Sequence, residues 1–244
     1  MSKQNSIEVN KTVLLAVTMT ANFFNPLMGS AVNIALPKIS HEFSLDAVSM
    51  SWITMSYLLA SAVFLIPFGK MGDMLGRKKV FLYGNIFFMF ATILCAFSYS
   101  GDFLIAFRVL QGIGSAMMYA TSMAIVISAF PPQERGKVIG LNVSAVYVGL
   151  SAAPILGGLL TQTFGWRSLF FINAGASVLI IFAIFFKIKA EWIEAKNEKF
   201  DWLGTLIYMP SMASLMYGFS KLPSPLAIGF TVVGILGLVA FVIY

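Results

Sequence analysis

Arg108 stands inside a run of apolar residues, about 9 Å from the nearer end of that run at ~1.5 Å per helical residue. A guanidinium in hydrocarbon is costly, so it normally faces a bundle interior or a wet cavity and serves the movement of charge or ligand. Gln111, Ser115, Tyr119 and Ser122 follow it at spacings of three and four, which sets them on one helical face. An earlier run carries a second stripe. Thr18, Asn22, Asn25, Gly29 and Asn33 fall within an arc of roughly 80° at ~100° per residue. Two such stripes face to face would line a polar path through an apolar surround. Amides and hydroxyls also bind membrane helices to one another. For each single Asn or Ser both roles are open, whereas a buried fixed charge weighs toward function.

A third constellation lies between two apolar runs. Gly69-Lys-Met-Gly-Asp-Met-Leu-Gly-Arg-Lys-Lys79 reads as an eleven-residue loop with three glycines, one acid and four bases. Bases beside apolar spans mark the cytoplasmic side of a membrane. Asp73 in the middle of such a turn points to a specific contact. Material for catalysis is scarce. The chain has one His (His41, in an outer loop) and one Cys (Cys95, inside an apolar run), and no acid pair within a span. The expectation is a protein that is not an enzyme, with no metal and no cofactor.

The elements that must position these residues follow from composition. Hydrophobic residues make up 59% of the chain and charged residues 11%, against about 25% charged in a soluble domain. Apolar stretches of about 20 residues recur along the whole length, each enough to cross ~30 Å of hydrocarbon. The fold class is an all-α polytopic membrane protein. Eight spans are expected at roughly 12–36, 48–68, 79–97, 103–125, 138–160, 169–186, 202–219 and 225–244. The first is longer than a signal-peptide core and is read as a retained helix.

With the N-terminus inside, the inner segments hold Lys3, Lys11, Lys70, Arg77, Lys78, Lys79, Arg135, Lys137, Lys187, Lys189, Lys196 and Lys199. The outer segments hold Lys38, Arg167 and Lys221. That asymmetry sets the N-terminus in the cytoplasm of a multi-pass cell-membrane protein. It also accounts for the net charge of +6 without nucleic acid. Trp52, Trp166, Trp192 and Trp202 fall near span ends, where amphipathic rings anchor at the interface. The fifth span carries Gly140, Gly149, Ala153-Pro154 and Gly157-Gly158. Much of this small surface should lie on one side and let another helix approach closely, with Pro154 permitting a bend.

These motifs carry a resemblance. The segment Gly69…Asp73…Gly76-Arg77-Lys78 resembles the signature between the second and third helices of the major facilitator superfamily. Arg108-Val-Leu-Gln111-Gly112-Ile-Gly114 resembles its fourth-helix motif, and Gly140…Gly149…Ala153-Pro154…Gly157-Gly158 the fifth-helix motif of its antiporters. Segments 33–37, 51–60 and 165–173 are similar to the fourteen-helix drug:proton antiporter branch.

The resemblance implies alternating access between two six-helix bundles. In that picture residues 1–186 are the N-terminal bundle, 187–201 a cytoplasmic interfacial connector, and 202–244 an inserted helix pair. The C-terminal bundle is not part of the sequence and would be the partner of this half. Small molecules would be the substrate, the proton the coupling ion, and the lipid bilayer the surround. Asp73, paired with Arg77 and Lys78 and suited to the positive end of a helix, would latch the inner side. Arg108 would sit at the cavity wall and couple protons, with Asn22, Asn25, Asn33, Gln111, Ser115 and Tyr119 near the substrate. Gly140, Gly149, Pro154, Gly157 and Gly158 would shape the sealing interface.

Two departures stand out: Ala153 replaces the Gly that precedes Pro in the family motif, and Met28 occupies the place of a first-helix acid common in multidrug exporters. No acid falls near the middle of a span. A non-transporting binding or sensor protein on the same scaffold, or an inactive half-transporter, is the alternative class.

Overall fold

The computed structural model describes residues 10–244 as eight helices. Lys3, counted among the inner-side bases, lies outside the described residues. The helices are α1 (Lys11–Phe43), α2 (Ala47–Leu75), α3 (Arg77–Ala96), α4 (Gly101–Ala129), α5 (Pro132–Phe164), α6 (Arg167–Lys187), α7 (Trp202–Ser220) and α8 (Pro225–Ile243). Local sequence starts several of them. The side chains of Asn10, Asp46, Ser100, Asp201 and Ser224 accept the first free backbone N–H groups of α1, α2, α4, α7 and α8. Such caps satisfy donors that have no partner within the helix.

Four of the helices carry an internal proline (Pro26 and Pro37 in α1, Pro67 in α2, Pro154 in α5 and Pro210 in α7), yet each continues through it. Neighbouring helices hold such segments in place inside a membrane bundle. Several helices outrun their expected spans. α1 runs through Pro37 to Phe43, and α5 begins at Pro132. Their polar ends project beyond the apolar stretch that a hydropathy reading detects.

The largest difference concerns the eleven-residue loop. Residues 69–75 are the last two turns of α2, and α3 starts at Arg77. The loop shrinks to Gly76, whose φ of 116° is closed to most side-chain-bearing residues. The bases of this segment look like a loop because they leave the hydrocarbon, not because they leave the helix.

α4 packs on α2 and α3, α1 on α5 and α6, and α3 on α6. Gly112 and Gly114 explain the tight contacts of α4. A Cβ on Gly112 would lie 2.8 Å from Ala60 Cβ of α2, and one on Gly114 would lie 2.7 Å from the Phe88 nitrogen of α3. Two apolar clusters fill the bundle, one toward each end. Leu14, Val17, Phe81, Phe88, Val126 and Ile184 belong to the first, and Ala31, Ile39, Ile53, Leu104, Trp166 and Phe170 to the second. The buried polar side chains of Asn25, Thr92, Arg108, Gln111 and Ser115 lie between them.

α7 and α8 pair with each other and reach the bundle through α2. Tyr208 of α7 donates its hydroxyl to the Ala62 carbonyl at 2.9 Å. Seven of the eight helices are long and apolar enough to cross a membrane; α7 is the one that falls short in apolarity. Its Tyr208, Ser211 and Gly218 are buried within the helix pair and against α2, so they cost little in lipid. Outward faces such as Phe90, Leu179, Phe182, Phe185 and Leu236 are exposed and apolar, as a lipid-facing surface requires. The chain is a multi-pass membrane protein.

Charged contacts sort by end as the topology predicts. Lys11 pairs with Glu134 at 3.7 Å, and Lys70 with Glu198, at one end. Arg167 pairs with Glu42 at 2.7 Å, and Lys38 donates to the Thr161 carbonyl at 2.8 Å, at the other.

Candidate functional site: a polar cleft and an inner-end latch

A cleft of about 350 Å³ opens between α1, α2 and α4, near the middle of each helix, with Leu150 of α5 at its rim. Its lining includes Asn25, Gly29, Asn33, Thr54, Tyr57 and Tyr119. Three side chains from three helices form a closed triangle at its floor. Tyr57 donates its hydroxyl to Asn25 Oδ1 and lies 2.8 Å from Ser115 Oγ. Asn25 Nδ2 donates to Ser115 Oγ at 3.0 Å. Higher on the wall, Thr54 Oγ1 donates to Asn33 Oδ1 at 2.6 Å. The lining holds no charged side chain.

Arg108 lies behind this wall rather than on it, which corrects the expected cavity position. It is fully buried, and its guanidinium carbon sits 4.3 Å from the centroid of the Tyr57 ring. That ring stands between the charge and the cleft. Nε donates to the Ile53 carbonyl at 3.1 Å, and Nη1 to Gln111 Oε1 at 2.6 Å. Gln111 Nε2 passes the chain on to Thr92 Oγ1 at 2.8 Å. Arg108 Nη2 has no partner among the described residues. A buried cation held by a carbonyl, an amide and a π face, without a carboxylate, is an expensive arrangement.

The sequence stripes therefore divide. Asn25, Asn33 and Tyr119 reach the cleft, and Ser115 supports it from below. Gln111 orients Arg108 and is fully buried. Asn22 does not face the cleft. Its Nδ2 donates to Asn142 Oδ1 of α5 at 2.9 Å, so it joins helices instead. The cleft residue that sequence reasoning missed is Tyr57. It contacts Asn25, Ser115 and Arg108 together, but an aromatic in an apolar run carries no signal of that role.

The fifth-helix pattern also divides. Gly149 and Gly157, with Ala153 between them, are buried, and their missing Cβ atoms would run into Phe23 and Ala31 of α1. Gly140 and Gly158 meet nothing within 4 Å, and Pro154 is exposed. The expected single small face is thus two faces. Nine residues turn a helix by about half a revolution more than two full turns, so Gly140 and Gly158 point away from Gly149.

At the inner end, Arg77 is the hub. Its Nε donates to Asp73 Oδ1 at 2.7 Å, and its two terminal nitrogens bind both oxygens of Glu194 at 2.6 Å each. Nη1 also donates to Ser128 Oγ of α4 at 2.5 Å. Glu194 belongs to residues 188–201, the irregular connector between α6 and α7. The connector's backbone docks on the same place. Arg77 N donates to the Trp192 carbonyl at 2.9 Å, while Glu194 N and Ala195 N donate to the Asp73 carbonyl at 3.0 and 2.9 Å.

Glu191, not Asp73, occupies the positive end of α3, where it accepts the Lys78 N–H at 2.8 Å. The Lys78 side chain makes no hydrogen bond or ion pair with Asp73. Gly72 is held to glycine by space and Gly76 by its backbone conformation. A Cβ at the first would lie 2.7 Å from Thr121 Cγ2, and one at the second 2.6 Å from the Glu191 carboxyl carbon. Gly69 has ordinary room.

A bundle of this topology, with its polar cleft and glycine-spaced motifs, is matched over residues 18–244 by the family model of the Major Facilitator Superfamily. The chain belongs to that superfamily. Among curated relatives, the riboflavin transporter RibZ of Clostridioides difficile (strain 630) is 31% identical over 198 residues, which is 81% of this chain and 43% of RibZ. The multidrug resistance protein Stp of Mycobacterium tuberculosis (strain ATCC 25618 / H37Rv) is 32% identical over 218 residues, 88% of this chain and 40% of Stp. The tetracenomycin C resistance and export protein of Streptomyces glaucescens is 33% identical over 198 residues, 81% of this chain and 37% of that protein. The chain spans less than half the length of these relatives. The crystal structure of the POT family transporter PepTSo shares the fold. Its TM-score is 0.71 at 14% identity, over 95% of this chain and 51% of that one.

Proposed function

We propose that this chain supplies the N-terminal six-helix bundle, a connector and an inserted helix pair to a fourteen-helix carrier that exports small amphipathic compounds by alternating access. The cleft is the observation that carries this reading. Its volume of about 350 Å³ falls within the range of small-molecule sites. Neutral donors and acceptors from Asn25, Asn33, Thr54 and Tyr57 sit beside the apolar Leu58 and Leu150. Such a lining selects by hydrogen bonding and apolar contact instead of by ion pairing. Stp and the tetracenomycin C protein carry drug resistance or export in their names, which agrees with a small organic cargo.

The open side of the cleft argues for a second bundle. Tyr147, Leu150, Ile155 and Leu159 of α5 are exposed on a helix that packs on one side only. A C-terminal bundle seated there would complete the cavity.

Proton coupling is part of the proposal. Of the ten acids, all but Glu8 fall among the described residues, and these lie at helix ends or in the connector. The proton-carrying carboxylate would then come from the second bundle, with Arg108 tuning Tyr57 from behind the wall. Asp73 and Arg77, set around Gly76, form the inner latch, with Lys78 offering its backbone N–H to Glu191 beside them and Gly69 one helical turn before Asp73 on α2.

The test is efflux of a fluorescent amphipathic dye from vesicles holding the intact transporter, with and without a proton gradient. Gradient-driven efflux that Asn25→Leu and Arg108→Ala abolish, in protein that still folds, is the expected result. Efflux unchanged in both variants overturns the reading.

A further inference from the structure

The connector segregates its charges. Its three glutamates all point at the bundle: Glu191 accepts the Lys78 N–H, Glu194 clasps Arg77, and Glu198 pairs with Lys70. The lysines on and beside it do the opposite. Lys187, Lys189, Lys196 and Lys199 are all exposed, and none makes an ion pair or a side-chain hydrogen bond among the described residues. A run with nearly equal numbers of acids and bases would read as neutral from sequence. Because the glutamates are each partnered by the bundle while the four lysines are not, the connector's unpaired charge is positive.

What covers that face follows from where it sits. Both ends of the connector enter membrane helices, α6 at Lys187 and α7 at Trp202. Trp202 is 72% exposed and meets Phe200 with ring centroids 4.7 Å apart, a pair suited to the headgroup level. Ile188 and Ala195 are buried and pin the connector's other side to the bundle. Beside it, a groove of about 260 Å³ between α2, α7 and α8 has an apolar floor of Ile66, Pro67 and Phe241 and a polar rim with Lys70 and Asp201. The connector is therefore held within reach of the inner leaflet. Clustered lysines at that depth are attracted to anionic lipid.

We infer that the connector is a two-faced strap: its glutamates grip the α2–α3 break while Lys187, Lys189, Lys196 and Lys199 rest on anionic phospholipid headgroups of the inner leaflet. The lipid surface thereby restrains the segment that must shift whenever the inner latch opens. The inference uses the inner sidedness of the connector and needs no transport for its readout, so it stands or fails apart from the carrier reading.

Cys95 is fully buried, so Asn197→Cys, in an exposed turn of the connector, offers one accessible thiol for an environment-sensitive fluorophore. The labelled chain is placed in vesicles of phosphatidylcholine, with or without phosphatidylglycerol. With phosphatidylglycerol, the label's emission shifts to the blue and its quenching by acrylamide falls. Both changes fade as added salt shortens the Debye length from about 10 Å to about 3 Å. Replacing the four lysines by glutamine removes the response, and replacing them by arginine keeps it. The salt series on the unsubstituted lysines decides the matter should the glutamine variant fold poorly. The same emission in both lipids, or a response that ignores salt and the glutamine changes, overturns the inference. So does a response to soluble polyglutamate but not to phosphatidylglycerol, which would assign the face to an acidic protein.

Discussion

Gly149→Ala and Gly158→Ala, nine residues apart on α5, should have opposite effects on stability. A Cβ on Gly149 would collide with the Phe23 carbonyl oxygen and lie 3.2 Å from its carbon and 3.4 Å from its Cα. These are backbone atoms of α1, so no rotamer change relieves the contact and the two helices must separate. Overpacking of this kind costs about 1–3 kcal/mol. At Gly158 nothing lies within 4 Å. There the added methyl only reduces backbone freedom in a helix interior, a gain of roughly 0.5–1 kcal/mol. The difference between the variants is then about 1.5–4 kcal/mol. In a chain of this size that separates apparent melting temperatures by at least several degrees. Cys95 provides the assay. It is buried, and it is the chain's one cysteine, so a dye that fluoresces on thiol reaction reports unfolding of purified protein during heating. Equal melting temperatures for the two variants, or a lower one for Gly158→Ala, would refute the two-faced assignment of α5.

Three further predictions follow from the cleft and the latch. Tyr57→Phe keeps the ring beside Arg108 but leaves Asn25 and Ser115 short of a partner, and should lower stability by about 1–3 kcal/mol in the same melting assay. Arg77→Ala should destabilise more than Glu194→Gln. Arg77 holds Asp73, Ser128 and Glu194 together with a side chain only 10% exposed, whereas Glu194 is 60% exposed and its pair is worth ~1 kcal/mol. The ranking is read by thiol-dye melting, and limited proteolysis should cut the connector fastest in Arg77→Ala. Asn22→Leu should weaken the α1–α5 contact without altering dye binding to the intact carrier, whereas Asn25→Leu should weaken dye binding, as measured by equilibrium binding.

The helices themselves were legible because long apolar runs leave few other solutions. Their ends were not, since Lys70 to Leu75 remain helical after leaving the hydrocarbon and read as loop. The site was partly legible. Periodicity placed Asn22 and Asn25 on one stripe, yet their three-residue offset turns one amide to Asn142 and the other to Tyr57 and Ser115. The position of Arg108 inside an apolar run announces a buried charge, but only the packing of α2 on α4 puts the Tyr57 ring in front of it. Glu191 and Glu194 were invisible as site residues. The connector has no regular structure, so no period announces which of its charges face the bundle.

The central claim is that the mid-bundle cleft is one wall of a path opened alternately to each side. Ser30, part-buried on its lining, becomes the probe as Ser30→Cys in the intact transporter with Cys95 replaced by alanine. Its rate of reaction with a membrane-impermeant thiol reagent is measured in right-side-out and inside-out vesicles, with and without an imposed proton gradient. The account predicts labelling from both sides, with the gradient raising one rate and lowering the other. Labelling from one side only, or from both at rates indifferent to the gradient, would contradict it.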